Sequence, residues 1–181
     1  MMLVFLLEEK SMAELLEILL PKILPPEVGF ITIPHRGKSD LQKSIPNKLK
    51  GWNDPSAKFV IVHDQDSWDC IELKKHIRGL CQGSKDDVLI RIACHEMEAW
   101  YFGDLTAVSK AYGKNVNKLA TKNKYRNPDA IGNPKDELRK LFQEHQQISG
   151  ARKIGEFMDI ERNISPSFRC FVNGIRQILS S

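Results

Sequence analysis

Four short apolar runs punctuate the first half of the chain: Met2-Leu-Val-Phe-Leu-Leu7, Val28 to Ile33, Phe59 to His63 and Val88 to Ala93. Each is continuous rather than alternating and is bounded by charge, Gly or Pro, the pattern of a strand buried on both faces. Between them apolar positions recur at helical spacing. Met12, Leu15, Leu16, Leu19, Leu20 and Ile23 follow a capping Ser11, and Pro25-Pro26 stops that helix. Ser39 or Asp40 opens a second helix to about Leu49, with Pro46 predicting a kink or break. Ser67 or Asp69 opens a third, carrying Cys70, Ile71, Leu73, Ile77 and Leu80 and closed by Gly83-Ser84.

Strand and helix therefore alternate three times, which predicts an α/β fold: a parallel sheet of about four strands flanked by helices on both faces. Right-handed crossovers place every strand's carboxyl end on one edge, where open α/β sheets bind their ligands. After Glu98 the pattern turns helical, through Ala99 to Phe102 and again over Leu105 to Tyr112. Residues 113–133 are polar and predict a loop. Asn133-Pro134 starts a helix to about Gln146, Ser149 can cap a short one, and Ser165-Pro166 opens the last, with Phe168, Phe171, Val172, Ile175 and Leu179 on its apolar face. The expected organisation is an α/β core over 1–104 with a mainly helical C-terminal extension, 105–181, packed on it as one compact domain.

Composition adds limits. A hydrophobic share of 41% and a charged share of 28% describe a globular protein rather than a disordered or membrane chain. Cys70, Cys81, Cys94 and Cys170 are scattered, which argues for reduced thiols and against a disulfide scaffold or zinc knuckle. No apolar stretch reaches membrane-spanning length, and the apolar start lacks a basic leader and runs straight into Glu8-Glu9-Lys10, so a cytoplasmic protein is expected. Residues 110–153 hold eleven Lys/Arg against four Asp/Glu, a local net of +7 that leaves −3 for the remainder of a +4 chain. An acidic half joined to a basic half suits a polyanionic substrate; a solvated, lysine-bearing helical surface is the plainer account.

The acidic half concentrates its carboxylates. Glu8-Glu9 closes the first strand, Asp64-Gln65-Asp66 the third, and Glu96-Met97-Glu98 follows the fourth. Carboxylates at the ends of apolar strands repel one another and lose hydration, a cost commonly offset by a cation. All-oxygen donors suit Mg²⁺ or Mn²⁺. In extended backbone Asp64 and Asp66 project to the same side and can share an ion, although Asp66 could instead cap the following helix. Glu9 should point elsewhere. Glu96 and Glu98 compete for a further metal-ligand role. His35, Arg36 and Lys38 lie just past the second strand, placed to contact phosphate. Arg126 in Tyr125-Arg-Asn-Pro128, Lys135, and Arg152 after Ser149-Gly-Ala151 are further candidates for holding a phosphate backbone. Three motifs fail: His95-Glu-Met-Glu-Ala99 lacks the second zinc-protease histidine, Gly37-Lys-Ser39 lacks the earlier P-loop glycine, and Ser149-Gly-Ala151 lacks a His partner for nucleophile chemistry.

A first strand ending in Glu and an Asp-x-Asp after a later strand, within alternating βα units, resembles the toprim superfamily, which serves topoisomerases, bacterial primases, recombination mediators and overcoming-lysogenization-defect-type nucleases. Leu6-Leu-Glu8, Gly37-Lys-Ser-Asp-Leu41, Asp64-Gln-Asp66, Glu96-Met-Glu-Ala-Trp100, Tyr125-Arg-Asn-Pro128 and Ser149-Gly-Ala151 are together similar to a bacterial family of unknown function placed among toprim-like proteins. The resemblance implies Glu8 as general acid or base and Asp64 and Asp66 as Mg²⁺ ligands. It implies a nuclease acting on DNA or RNA, with an ATPase partner in a defence-type system. The alternative is a non-catalytic module that binds nucleic acid or such an ATPase; a small-molecule phosphotransferase is a third reading, and a homo-oligomer is compatible with each. Glu9 stands where many toprim proteins carry glycine after the catalytic Glu, which crowds the approach of a phosphate backbone.

Overall fold

The computed structural model describes residues 1–84 and 87–180. Strands β1 (Met2–Leu7), β2 (Gly29–Pro34), β3 (Lys58–Asp64) and β4 (Val88–Ala93) form an all-parallel sheet in the order β2-β1-β3-β4. The chain steps outward from β1 to β2, returns across β1 to β3, and continues to β4. Right-handed crossovers turn that reversal into two layers: α1 (Lys10–Ile23) covers one face, while α2 (Lys38–Gly51) and α3 (Cys70–Cys81) cover the other. Successive strand residues alternate between the two cores. Leu3, Phe5, Leu7, Val60 and Val62 pack on the α1 side; Val4, Leu6, Phe59 and Ile61 meet Leu41, Ile45, Leu73 and Ile77 on the other.

Burial on both faces holds for the central strands β1 and β3. It fails for β2, which is only half-buried, with Ile31 39% exposed. As an edge strand, β2 has less helix over it.

One helix about 10 Å wide cannot cover four strands spaced about 4.8 Å apart. The rest of the α1 face is filled by α4 (Glu98–Phe102), α5 (Leu105–Tyr112), α6 (Asn123–Arg126), α7 (Pro134–Leu141), α8 (Gln147–Phe157) and α9 (Pro166–Ser180). Helix α8 lies against α1, where Lys22 Nζ donates to the Gly155, Glu156 and Met158 carbonyls at the end of α8. Helix α9 packs on β4, and Trp100 meets the rings of Phe168 and Phe171 at 5.4 and 5.2 Å. Asp129 closes this joint by accepting from Ser165 Oγ, Ser167 N and Ser167 Oγ at the start of α9. The larger core thus draws on both 1–104 and 105–181.

Local departures from expectation have packing causes. Helix α2 runs unbroken through Pro46, because Leu41, Ile45 and Leu49 keep it seated on the sheet. Helix α1 starts at Lys10 with Glu9 as its N-cap, and the Ser11 hydroxyl donates to Glu9 instead of capping. Asp69, by contrast, caps α3 through the Ile71 and Glu72 amides. Helix α7 ends at Leu141 because Phe142 turns inward and stacks on Tyr112 at 4.2 Å. Residues 113–133 contain α6 and two 3₁₀ turns, Asn117–Thr121 and Pro128–Ala130, anchored by buried Tyr125, whose hydroxyl donates to Glu137 at 2.5 Å.

Candidate active site at the carboxyl edge

Between β1 and β3 the order of strand addition reverses, so the segments that follow these two parallel strands leave to opposite faces and open a crevice at the carboxyl edge. Glu8 follows β1 and Asp64 ends β3, one on each side of that crevice. Backbone pairing continues past the strands. Gly37 N donates to Glu8 O at 2.9 Å, bringing the β2–α2 loop over the site; Gly37 takes φ +96, which suits glycine. Gln65 N donates to Ala93 O, Asp66 N to His95 O, and His95 N to Gln65 Oε1, stitching the loops after β3 and β4 together. Asp66 and His95 adopt the left-handed conformation there, at φ +51 and +56.

The turn separates the two aspartates. Asp64 is buried, with an unpartnered Oδ1; Asp66 is a third exposed and pairs with Lys38 Nζ at 2.8 Å. The extended geometry expected to align them ends at Asp66. Glu96 and Glu98 are separated as well. Glu96 Oε2 accepts from Lys135 N at 3.0 Å at the start of α7, with Lys135 Nζ 3.7 Å from Oε1. Glu98 is 1% exposed and its Oε2 has no partner. The Tyr101 hydroxyl, on the same short helix, is also buried and unpartnered.

These groups repel one another in a dry setting. Burial, reinforced by Glu8, Glu98 and Glu9, holds the Asp64 carboxyl well above the ordinary carboxylate range. Burial pushes Glu98 up to about 7 against the opposing pull of Lys135. Glu8 also rises to about 7 through burial, with Asp66 and Glu9 adding and the Asp64 amide and Lys38 opposing. The Glu9 carboxylate accepts from Ser11 Oγ and from Gln147 Nε2 at 3.2 Å on α8, yet its charge still reaches Glu8, Asp64 and Glu98. Lys135 is the internal counter-charge. Burial lowers its pKa, but Glu98, Glu9, Glu96 and Asp64 outweigh that and raise it.

Sequence reasoning missed His63. Its ring is buried, with Nδ1 2.6 Å from Asp64 O and 3.0 Å from Glu8 Oε2, and Nε2 2.9 Å from Gln42 Nε2. A carbonyl only accepts, so Nδ1 carries the proton and Nε2 accepts from the Gln42 amide. Burial lowers the His63 pKa, so its 3.0 Å approach to Glu8 is the contact of a neutral ring and not an ion pair. Asp64 N donates to Glu8 Oε2 at 3.1 Å. His76, 3.4 Å from Gln42 Oε1, extends the chain to the surface and stacks on half-exposed Trp68. In the sequence His63 reads only as the last residue of an apolar strand.

The remaining candidates divide. Lys38 and Lys135 flank the carboxylates, and Arg36 and Arg126 are exposed. His35 is held by Leu7 O at 2.8 Å and Ser44 Oγ at 2.6 Å. Arg152 forms a bidentate pair with Glu14 at 2.6 and 2.8 Å, joining α8 to α1. The Ser149-Gly150-Ala151 motif serves packing: a Cβ on Gly150 would lie 2.2 Å from the His145 ring.

Among the described residues no group of three or more His, Cys, Asp or Glu side chains is arranged to hold a metal ion. Glu8, Asp64 and Asp66 therefore do not form such a group, and the two aspartates expected to share an ion face different ways. A sparser site does fit the chemistry. Asp64 Oδ1 and Glu98 Oε2 are orphaned hard-oxygen donors within electrostatic range of each other, and Mg²⁺ commonly takes only one or two carboxylates, with water and substrate oxygens completing its shell.

The fold and site define a parallel α/β protein with a buried carboxylate cluster at its topological switch point. The chain belongs to the family described as Domain of unknown function (DUF4276), which matches residues 7–176. Searches of curated proteins and of solved structures give no match. No helix among the described residues is long and apolar enough to cross a membrane.

Proposed function

We propose that the chain is a toprim-like, metal-assisted phosphodiesterase of DNA or RNA. The observation that carries this reading is the burial of Glu8, Asp64 and Glu98 at the switch point with two carboxylate oxygens unpartnered. Buried like charges destabilise a fold by several kcal/mol, and sites that perturb carboxyl groups this way are characteristic of catalysis. Asp64 and Glu98 are the residues to hold Mg²⁺ or Mn²⁺, which when bound supplies positive charge to the phosphoryl oxygens. Glu8, with a pKa of about 7, takes or gives a proton near neutrality, and the Asp64 amide holds its Oε2 beside the His63 ring. Lys38 and Lys135 draw the phosphate toward the crevice. Exposed Lys118, Lys122 and Arg126 lie on the basic segment that would track the backbone, and Trp68 offers a ring for a nucleobase.

A second reading, a module that binds nucleic acid or an ATPase without cutting, is favoured by the lysine partners already engaged by Asp66 and Glu96. The test is cleavage of single- and double-stranded DNA and RNA with Mn²⁺, alone and with any ATPase that a neighbouring gene encodes. Cleavage lost in Glu8→Gln supports the enzyme. Binding without cleavage under every condition selects the module.

A further inference from the structure

Between α3 and α9, over the edge strand β4, lies a groove of about 610 Å³. Its floor is aliphatic and sulfur-bearing, with Ile90, Ile92 and Cys94 prominent, and Ile71 stands at its rim 75% exposed. Lys74, Lys75, Arg78 and Arg91 also line it, and no carboxylate does among the described residues. None of those four cations enters an ion pair among the described residues. An apolar trough edged by unneutralised positive charge is an unfinished interface.

We propose that this groove docks an acidic amphipathic helix of a partner protein. The charge pattern selects an acidic occupant. Ile71, Lys74, Lys75 and Arg78 form one stripe along about two turns of α3, roughly 10 Å, so the complementary ligand is linear, with carboxylates repeated at helical spacing beside apolar side chains. Strand addition is disfavoured because arginines already occupy carbonyls of β4: Arg78 Nη1 donates to Val88 O at 2.8 Å and Arg91 Nη1 to Ile90 O at 3.0 Å. Arg91 Nε is further held by Cys170 O at 3.0 Å, which fixes its guanidinium before any partner arrives. Nucleic acid fits less well, because no aromatic ring lines the trough for a base and the aliphatic floor gives a phosphate backbone nothing to bond. The surface is separate from the carboxylate crevice and stands whether or not that site cuts phosphodiesters.

The test uses the full chain as bait for a displayed random-peptide library of about 15 residues, long enough for four helical turns. Counter-selection uses the Lys74→Glu/Lys75→Glu variant, whose changes lie on the exposed face of α3. Enriched peptides should carry Asp or Glu beside aliphatic residues at i, i+3 or i+4 spacing. Synthesised and labelled, they should lose at least tenfold in affinity to the double variant and to Ile71→Asp, with unchanged melting curves confirming that both variants fold. The proposal is overturned if the library yields nothing over the variant, if enriched peptides are not acidic, or if their binding survives both variants. It is equally overturned if a labelled oligonucleotide, rather than a peptide, is what these variants release.

Discussion

Replacing Glu98 with Gln should stabilise the protein, by an amount that is absent near pH 4, grows as the pH rises from about 4.5 to about 7, and is constant above that. The native carboxyl holds its proton up to about 7, against an ordinary 4.5, because it is buried with an unpartnered oxygen. The folded state therefore binds this proton more tightly than the unfolded chain. Stability falls as pH rises from about 4.5 to about 7 and is level above that range, as far as this group decides it. At about 1.4 kcal/mol per tenfold change in proton affinity, the charged form destabilises the fold by about 3 kcal/mol. Gln keeps the shape and removes the charge. For a chain of 181 residues that corresponds to a rise in melting temperature of roughly 6–12 °C at pH 8, vanishing near pH 4. Urea unfolding of wild type and variant at pH 4, 6 and 8 measures it directly. An equal gain at all three values would mean that packing, not charge, is responsible; no gain at pH 8 would mean that Glu98 is solvated or paired in the free protein.

Mn²⁺ at 100 times its Kd should stabilise the wild type by about 2.7 kcal/mol, and the response should disappear in Asp64→Asn/Glu98→Gln; a surviving shift would move the ion to another group such as Asp66. Glu8→Gln should leave nucleic-acid binding intact and abolish cleavage, and the wild-type rate should climb with pH through about 7 if Glu8 acts as base. A falling limb at that pH would assign it the acid role, and no limb would remove it from the proton transfer. Glu96→Ala should cost about 1 kcal/mol by stripping the acceptor from the start of α7, read by urea unfolding; an unchanged midpoint would show that water replaces it.

The alternation of apolar runs and helical spacing was enough to place β1, β3, β4, α3 and α9 within a residue or two, because strands buried on both faces and helices with one apolar stripe leave periodic traces. Local chemistry was legible as well: Asp69 before α3, Pro166 opening α9, and acidic residues at the ends of three strands. Where those carboxylates point was not. Asp64 and Asp66 are two residues apart, yet one faces the interior and the other Lys38, since a left-handed turn at Asp66, whose backbone N–H donates a hydrogen bond to His95 O, intervenes. Glu96 and Glu98 were equivalent candidates in the sequence. The approach of α7, 39 residues from Glu96 to Lys135, ties up the first, while the closing core buries the second. His63 looked like one more strand residue until β1 ran beside β3 and set Glu8 against its ring. Periodicity records which face of an element is dry, and so the chain alone determined the layers, the parallel sheet and the edge on which acids collect. Which acid is paired, which is stranded and which lysine answers it depend on contacts between residues far apart in the chain, and only the packed tertiary structure decided those.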